Sequence, residues 1–442
     1  MKTGFPYLRT LKGLWAISDQ GVVSLGNFLT QIILARSLSR SDYGVFTLFF
    51  GVLLVLFICQ ISLITYPLSL KGATVERGEL QRLTSISLAL TLVLVIPLAP
   101  LVFGTAWVLK IPQVGWAALL AMALWHLQET VRRALMGHLR HRDAIWGDAL
   151  SYFGQAVMLW AIAHRGDMTL EAAFLTIAAT SAAAALLQGI QLGLASIRIG
   201  EVLPLARSYW PVGRWALLTG LSETGTRQAF PWALALLFGP QEAASFQAAM
   251  NVLGVSHPVL FGTTNLIVPA AAQSHKREGA RAAFRISAWY GLIALAVVAP
   301  YFAGLTVWPR EALSLLYGKG SAFTALGAGV RLAALAYFFG ICGAFLSGYL
   351  FGVARPKYVF AANAGSIALT IIPAAILMVR YGAIGAIAGF LVWCLIRMAL
   401  SAIFAGRTFR QERLLLPVAR SESTTGNSSF SGPDAIGSSI IE

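Results

Sequence analysis

SISLALTLVLVIPLAP, residues 85–100, and RISAWYGLIALAVVAP, residues 285–300, align without a gap, matching Ile86 with Ile286 and Pro100 with Pro300. Each is an almost unbroken apolar run of the kind that lipid, rather than a soluble core, accommodates. Apolar runs of spanning length recur outward from both, near 13–35, 44–66, 83–105, 114–136, 144–163 and 170–195, then near 215–238, 243–270, 285–307, 324–353, 358–379 and 383–405. At roughly 20 apolar residues per crossing, twelve helices fill the chain. The pattern predicts an all-α, polytopic membrane protein.

Composition agrees. Of 442 residues, 57% are hydrophobic and 12% charged, with mean hydropathy +0.72, whereas soluble domains carry about 25% charged residues. The formal charge of +15 would suggest nucleic acid in a soluble protein. Here it sorts by loop. With both termini in the cytoplasm, 23 of the 33 Lys and Arg fall on the inner side, seven on the outer side, and Arg227, Arg331 and Arg397 within spans. That is the bias that retains basic loops in the cytoplasm, so nucleic acid is excluded as a partner. Met1 to Lys12 is basic, but the following segment carries Asp19, Asn27 and Gln31 and lacks a small-residue cleavage site, so it is read as the first helix. Cys59, Cys342 and Cys394 lie singly in apolar runs and suggest neither a disulfide framework nor a metal site.

The paired runs define an internal repeat. Ser18-Asp19-Gln20-Gly21 in helix 1 resembles Ser222-Glu223-Thr224-Gly225 in helix 7, and MGHLRHRD (136–143) resembles FGVARPKY (351–358), setting Asp148 opposite Asn363. A displacement of six crossings keeps both halves in one orientation, which implies a pseudo-twofold axis along the membrane normal and a cavity between lobes. The expected organisation is an N-terminal lobe (1–195), a cytoplasmic linker (196–214, SIRIGEVLPLARSYWPVGR), a C-terminal lobe (215–406) and a disordered tail (407–442), with the chain monomeric.

Charge at bilayer depth costs about 2.5–3.5 kcal/mol on insertion scales, so such residues face a wet cavity or a partner. In helix 1, Gln20, Ser24, Asn27 and Gln31 share one face with Asp19 at its edge; the face lines a cavity or forms a polar helix–helix contact. In helix 7, Glu223 and Arg227 stand four apart, either as a self-neutralising pair or as a site. Helix 4 gathers His126, Glu129, Arg132 and Arg133 toward its cytoplasmic end. Arg331 opens helix 10 from outside, and Arg397 sits well within helix 12. The acids Asp19, Glu223, Glu129 and Asp148 are candidates for coupling to Na+ or H+; no other cofactor is expected. With no Walker A loop, no HExxH, no Gly-x-Ser-x-Gly and no outer loop large enough for a catalytic domain, an enzyme is not expected and no catalytic residue is assigned.

The stretch ISDQGVVSLGNFLTQIILARSLSRSDYGVFTLFFGVL (17–53) resembles the opening of the polysaccharide transporter family, the O-antigen flippases, through Asp19, Asn27, Ala35-Arg36, Tyr43-Gly44 and Phe46. LLYGKGSAF (315–323) and YGAIGAIAG (381–389) extend the likeness in order along all twelve helices. The resemblance implies the multidrug/oligosaccharidyl-lipid/polysaccharide superfamily, with V-shaped lobes that open alternately to each side of a bacterial inner membrane. It further implies a polyprenyl-diphosphate oligosaccharide as substrate, with polysaccharide polymerase and chain-length machinery as partners beside membrane lipid. Its cavity cations would be Arg227, Arg397 and Arg331, with Asn27, Gln31 and Arg132 alongside. A cation-coupled exporter of drugs or metabolites is the alternative on the same fold; a membrane enzyme of glycan assembly is a third reading.

Overall fold

A computed structural model describes residues 6–72, 74–138 and 140–425. Among them all regular structure is helical. The N-terminal lobe comprises α1 (Pro6–Ser37), α2 (Arg40–Gly72), α3 (Arg77–Val108), α4 (Gly115–Gly137), α5 (141–165) and α6 (Leu170–Leu192). The C-terminal lobe comprises α7 (Val202–Phe238), α8 (240–278), α9 (Ala280–Val307), the short α10 (Pro309–Tyr317), α11 (Gly327–Gly352), and the helical stretch Pro356–Thr425. Gly382, at φ 55° and ψ −131°, divides that last stretch into α12 and α13, a left-handed break that glycine takes without a Cβ clash. Among the described residues the order therefore yields twelve long α-helices and one short one.

Six helical stretches, Arg40–Gly72, Arg77–Val108, Leu170–Leu192, Ala280–Val307, Ala322–Gly352 and Pro356–Gln411, are long and apolar enough to cross a membrane by length and composition. The others carry more polar residues; α1, α4, α5 and α7 hold the charged groups described below. The prolines of the aligned runs recur inside helices, Pro97 and Pro100 in α3 and Pro300 in α9. The stretch read as a linker contains the turn Ile199–Glu201 and the start of α7. Residues 407–425 of the expected disordered tail are helical, continuing α13, and 426–442 lie outside the described residues.

Three apolar cores set the shape. One cluster joins both halves through the ends of the helices that the charge distribution assigns outside: Tyr43, Phe46, Phe49 and Phe174 from the N-terminal lobe, with Phe230, Phe246, Phe323 and Tyr337 from the other. At the inner end the cores are separate. Leu68, Leu80, Val131, Leu135 and Leu192 form one around the base of α7, and Ala271, Ala283, Tyr349, Leu350 and Val359 form the other. Burying apolar surface in one shared core and two distinct ones gives a V joined at the end that the charge distribution assigns outside and divided at the other.

Two helices contain π turns, Ile61–Thr65 in α2 and Ala149–Phe153 in α5. Such bulges re-aim adjacent side chains inside a continuous helix. The first follows Gln60, whose Nε2 donates to His126 O and Thr130 Oγ1; the second follows Asp148. Gly26 of α1 lies so close to the second bulge that a Cβ would stand 2.5 Å from Tyr152 Cβ and 2.8 Å from its backbone.

Candidate functional site

Charged groups gather in each lobe, packed differently. In the N-terminal lobe, Arg132 of α4 is encircled by carboxylates from three helices. Its Nε donates to Asp148 Oδ2 at 2.5 Å, its Nη2 to Asp19 Oδ2 at 3.1 Å and its Nη1 to Glu129 Oε2 at 3.3 Å. Arg133 Nε donates to Glu129 Oε1, and Gln188 Nε2 donates to Asp148 Oδ1 at 3.1 Å. Asp19 and Asp148 are wholly buried, and Arg132 is nearly so. Three carboxylates face two guanidiniums, one negative charge in excess when all are ionised, and Asp19 Oδ1 has no hydrogen-bond partner.

The guanidinium of Arg132, expected beside the substrate, is here bonded to three acids. It brings together three of the four acids expected to couple, Asp19, Glu129 and Asp148. Among the described residues no group of three or more His, Cys, Asp or Glu side chains could hold a metal ion. Arg132 already occupies the centre where an ion would sit.

The C-terminal lobe holds a cavity of about 500 Å³ enclosed by α7, α8, α9, α11, α12 and α13. Its charged lining is Glu223 and Arg227 from α7 and Arg397 from α13. Arg397 Nη1 donates to Glu223 Oε1 at 3.3 Å, and its guanidinium carbon lies 5.4 Å from the Trp393 ring centre. The hydrogen-bonded partner of Glu223 is thus Arg397, on another helix, while Arg227 lines the same space. His257 Nε2 and Tyr337 Oη, 3.1 Å apart, add a polar contact to a wall otherwise rich in apolar and aromatic side chains.

Three residues expected in the cavity lie elsewhere. Arg331 is exposed and donates to Thr306 O at 2.9 Å, near the outer end of α9. Gln31 accepts from Tyr43 Oη at 3.1 Å inside the outer junction of the lobes. Asn27 is exposed on α1, away from the cavity lining. For Arg331 the reason is register: α11 begins at Gly327, only a turn before it, leaving that long side chain at the outer edge.

The outer junction itself was not singled out in the sequence. Arg40 Nη2 donates to Glu242 Oε1 at 3.0 Å and to Ser245 Oγ at 2.6 Å, and Asn251 Nδ2 donates to Tyr43 Oη at 2.7 Å. Arg36 donates to the carbonyls of Leu315 and Leu316, and Glu242 Oε2 accepts from Ala383 N at 3.0 Å. Gly44 makes the contact close: a Cβ there would stand 1.9 Å from Pro240 O. Its sequence signals were the quoted Arg36, the Tyr43-Gly44 pair and the stretches 315–323 and 381–389, which supply Leu315, Leu316 and Ala383.

The arrangement of two helical lobes joined at one end is shared with solved transporter structures. The fold is a MATE transporter fold. The chain is similar to an inward-facing multidrug resistance MATE family transporter of the MOP superfamily, at TM-score 0.71 and 13% identity over 91% of this chain and 99% of that one. It is similar to an outward-facing MATE family transporter of that superfamily at TM-score 0.64 and 13% identity, over 91% and 95%. A MOP superfamily transporter from Pyrococcus furiosus, whose reversed binding-pocket polarity suggests a different function, matches at TM-score 0.64 and 13% identity, over 90% and 94%. No protein-family model matches the chain, and neither does any curated protein. These likenesses bear out the all-helical, V-shaped, multi-pass architecture and the superfamily's fold.

Proposed function

We propose that this chain is a proton-coupled, alternating-access exporter of a drug-sized organic solute, with both termini in the cytoplasm of a bacterial inner membrane. The observation that carries the reading is the division of the apolar core, one shared cluster at the outer end and two separate clusters at the inner end. A fold that is joined outside and divided inside offers its interior to the cytoplasm, and rocking the lobes about the middle reverses the access. The greater likeness to an inward-facing transporter than to an outward-facing one supports the same direction.

The cavity supports a solute of modest size, since pockets of about 300–1,000 Å³ suit drug-sized ligands. Asp19 supports the coupling: its unpartnered Oδ1 is where a proton would cancel the excess negative charge and release one arm of Arg132. Because Arg132 fills the centre, a proton suits this cluster better than Na+.

The test uses inverted vesicles from a host stripped of drug exporters and a panel of organic cations and anions. Uptake that collapses with a protonophore and disappears in Asp19→Asn is expected. Absence of uptake for every compound, with the protein present in the membrane, would sink the reading.

The second reading is the flipping of a polyprenyl-diphosphate oligosaccharide, with a polymerase and chain-length machinery as partners. Arg227 and Arg397 on one cavity favour it, because guanidinium donates bidentate hydrogen bonds to phosphate. Against it, Arg331 and Arg132 are committed elsewhere and Glu223 offsets one of the two remaining charges. Restored surface glycan in a flippase-deleted strain would reverse the order of the two readings.

A further inference from the structure

The cavity in the C-terminal lobe contains donors with nothing to donate to. Trp393 lines the cavity from α13, is 3% exposed, and has a buried indole Nε1 without a hydrogen-bond partner. One turn further along, Arg397 spends Nη1 on Glu223 and leaves its Nε buried and unpartnered. Ser347 Oγ of α11, in the same wall, is buried and unpartnered as well. A buried donor without an acceptor is destabilising in proteins, because the water it gave up is not replaced. Several such donors around one space therefore describe the shape of an acceptor that belongs there.

The formal charges point the same way. Arg227 and Arg397 against Glu223 leave one positive charge in excess. The rest of the wall is apolar and aromatic, with Phe345, Phe351 and Phe390. One buried acceptor, Asn363 Oδ1, lacks a partner too and gives a neutral N–H or O–H on the ligand a place to bind.

The geometry points to a binding site for a monoanionic organic acid with an apolar or aromatic body, its carboxylate between Arg227, Arg397 and Trp393 Nε1 and its body against the phenylalanines. This deepens the exporter reading and rests on it for the step across the membrane, but the site itself is a matter of binding alone. Guanidinium and indole N–H together suit a carboxylate: the first gives charge and a planar fork, the second a single directed donor. Glu223 acts as a competitor. It holds Arg397 in place while the cavity is empty and lowers the affinity for an anion by occupying one of its donors.

The experiment measures binding of 2-naphthoate, 2-naphthamide and 2-naphthylmethylammonium to the purified full-length protein in phosphatidylcholine nanodiscs by titration calorimetry. The three share a body and differ in charge. Naphthoate is expected to bind at least tenfold more tightly than the amide, and the cation least. Arg397→Gln should weaken naphthoate at least tenfold and leave the amide unchanged. Trp393→Phe, which keeps the ring and removes the donor, should weaken naphthoate about three- to tenfold. Glu223→Gln should strengthen it, an effect that a merely structural carboxylate does not produce.

Equal affinities for the three compounds, no binding of any, or an Arg397→Gln variant that loses amide and carboxylate alike would each overturn the proposal. So would loss of naphthoate binding when phosphatidylglycerol replaces phosphatidylcholine, which would give the site to a lipid headgroup. Naphthoate binding with no proton-driven movement of any solute would sink the exporter reading and leave the site standing. Proton-driven export by a protein that ignores naphthoate would do the reverse.

Discussion

Arg40 of α2 and Glu242 of α8 meet 3.0 Å apart at the outer junction, and the same Glu242 carboxylate accepts from the backbone N–H of Ala383 at the start of α13. A carboxylate at a helix N-terminus is favourably placed against the helix dipole. One side chain thus ties the N-terminal lobe to the helix that bears Trp393 and Arg397. Opening the outer side requires this tie to break.

Arg40→Ala should shift the protein toward the outward-open arrangement, though modestly. The pair is partly exposed, and such pairs contribute about 0.2–1 kcal/mol. That corresponds to a population change of at most about fivefold, on the same principle. Nitroxide labels at Gln113 and Lys319, both exposed at the outer end, should show a larger long-distance fraction in the variant. An unchanged distribution would remove the tie from the account.

Gly44→Val should act more strongly. The backbone carbonyl of Pro240 occupies the place of any Cβ at 44, and overpacking of a close contact costs about 1–3 kcal/mol. The same label pair should report mostly separated outer ends. Retention of the closed distance would show that the junction accommodates a side chain.

In the N-terminal lobe, two substitutions of neighbours should part company. Arg132→Gln leaves Asp19 and Asp148 facing each other without a cation, Glu129 keeping only Arg133, and should cost about 3–5 kcal/mol, the usual penalty for breaking a buried pair. Asp19→Asn removes the excess charge, keeps a hydrogen-bonding side chain, and should fold with near-normal thermal stability while losing the response to a proton gradient. Thermal unfolding monitored by size-exclusion chromatography reads both. Equal stability of the two variants would mean that the ring of acids around Arg132 is not what holds α1, α4 and α5 together.

Much of this architecture is legible in the sequence because a lipid-spanning helix must be apolar over its length. The runs around 85–100 and 285–300 needed no tertiary information, and Pro100 and Pro300 fall inside helices as aligned. The short α10 was hidden in a loop because its nine residues bury only one face, with Pro309, Leu313 and Tyr317 inward. The π turns at 61–65 and 149–153 were invisible because they lie inside continuous helical segments and change register rather than composition.

The sites divide by sequence distance. Glu223 and Arg227 read naturally as a pair four apart, yet Glu223 bonds Arg397, 174 positions away. Asp19 and Arg132 are 113 apart, and nothing in either helix alone announces their contact. The sequence nominated acids that the structure places in charge clusters, whereas which arginine each acid meets was decided by packing between helices.

Alternation between the two lobes is the central claim, and two distances measured in one membrane test it most directly. Double electron–electron resonance would compare the outer pair, 113 and 319, with an inner pair at Arg142 and Arg355, exposed positions in the two aligned helix exits. The background would have Cys59, Cys342 and Cys394 replaced, and measurements would be made at several pH values. The account predicts that the outer distance lengthens as the inner one shortens, in a ratio that changes with pH and freezes in Asp19→Asn. Two distances that stay fixed under every condition, or that lengthen together, would contradict it.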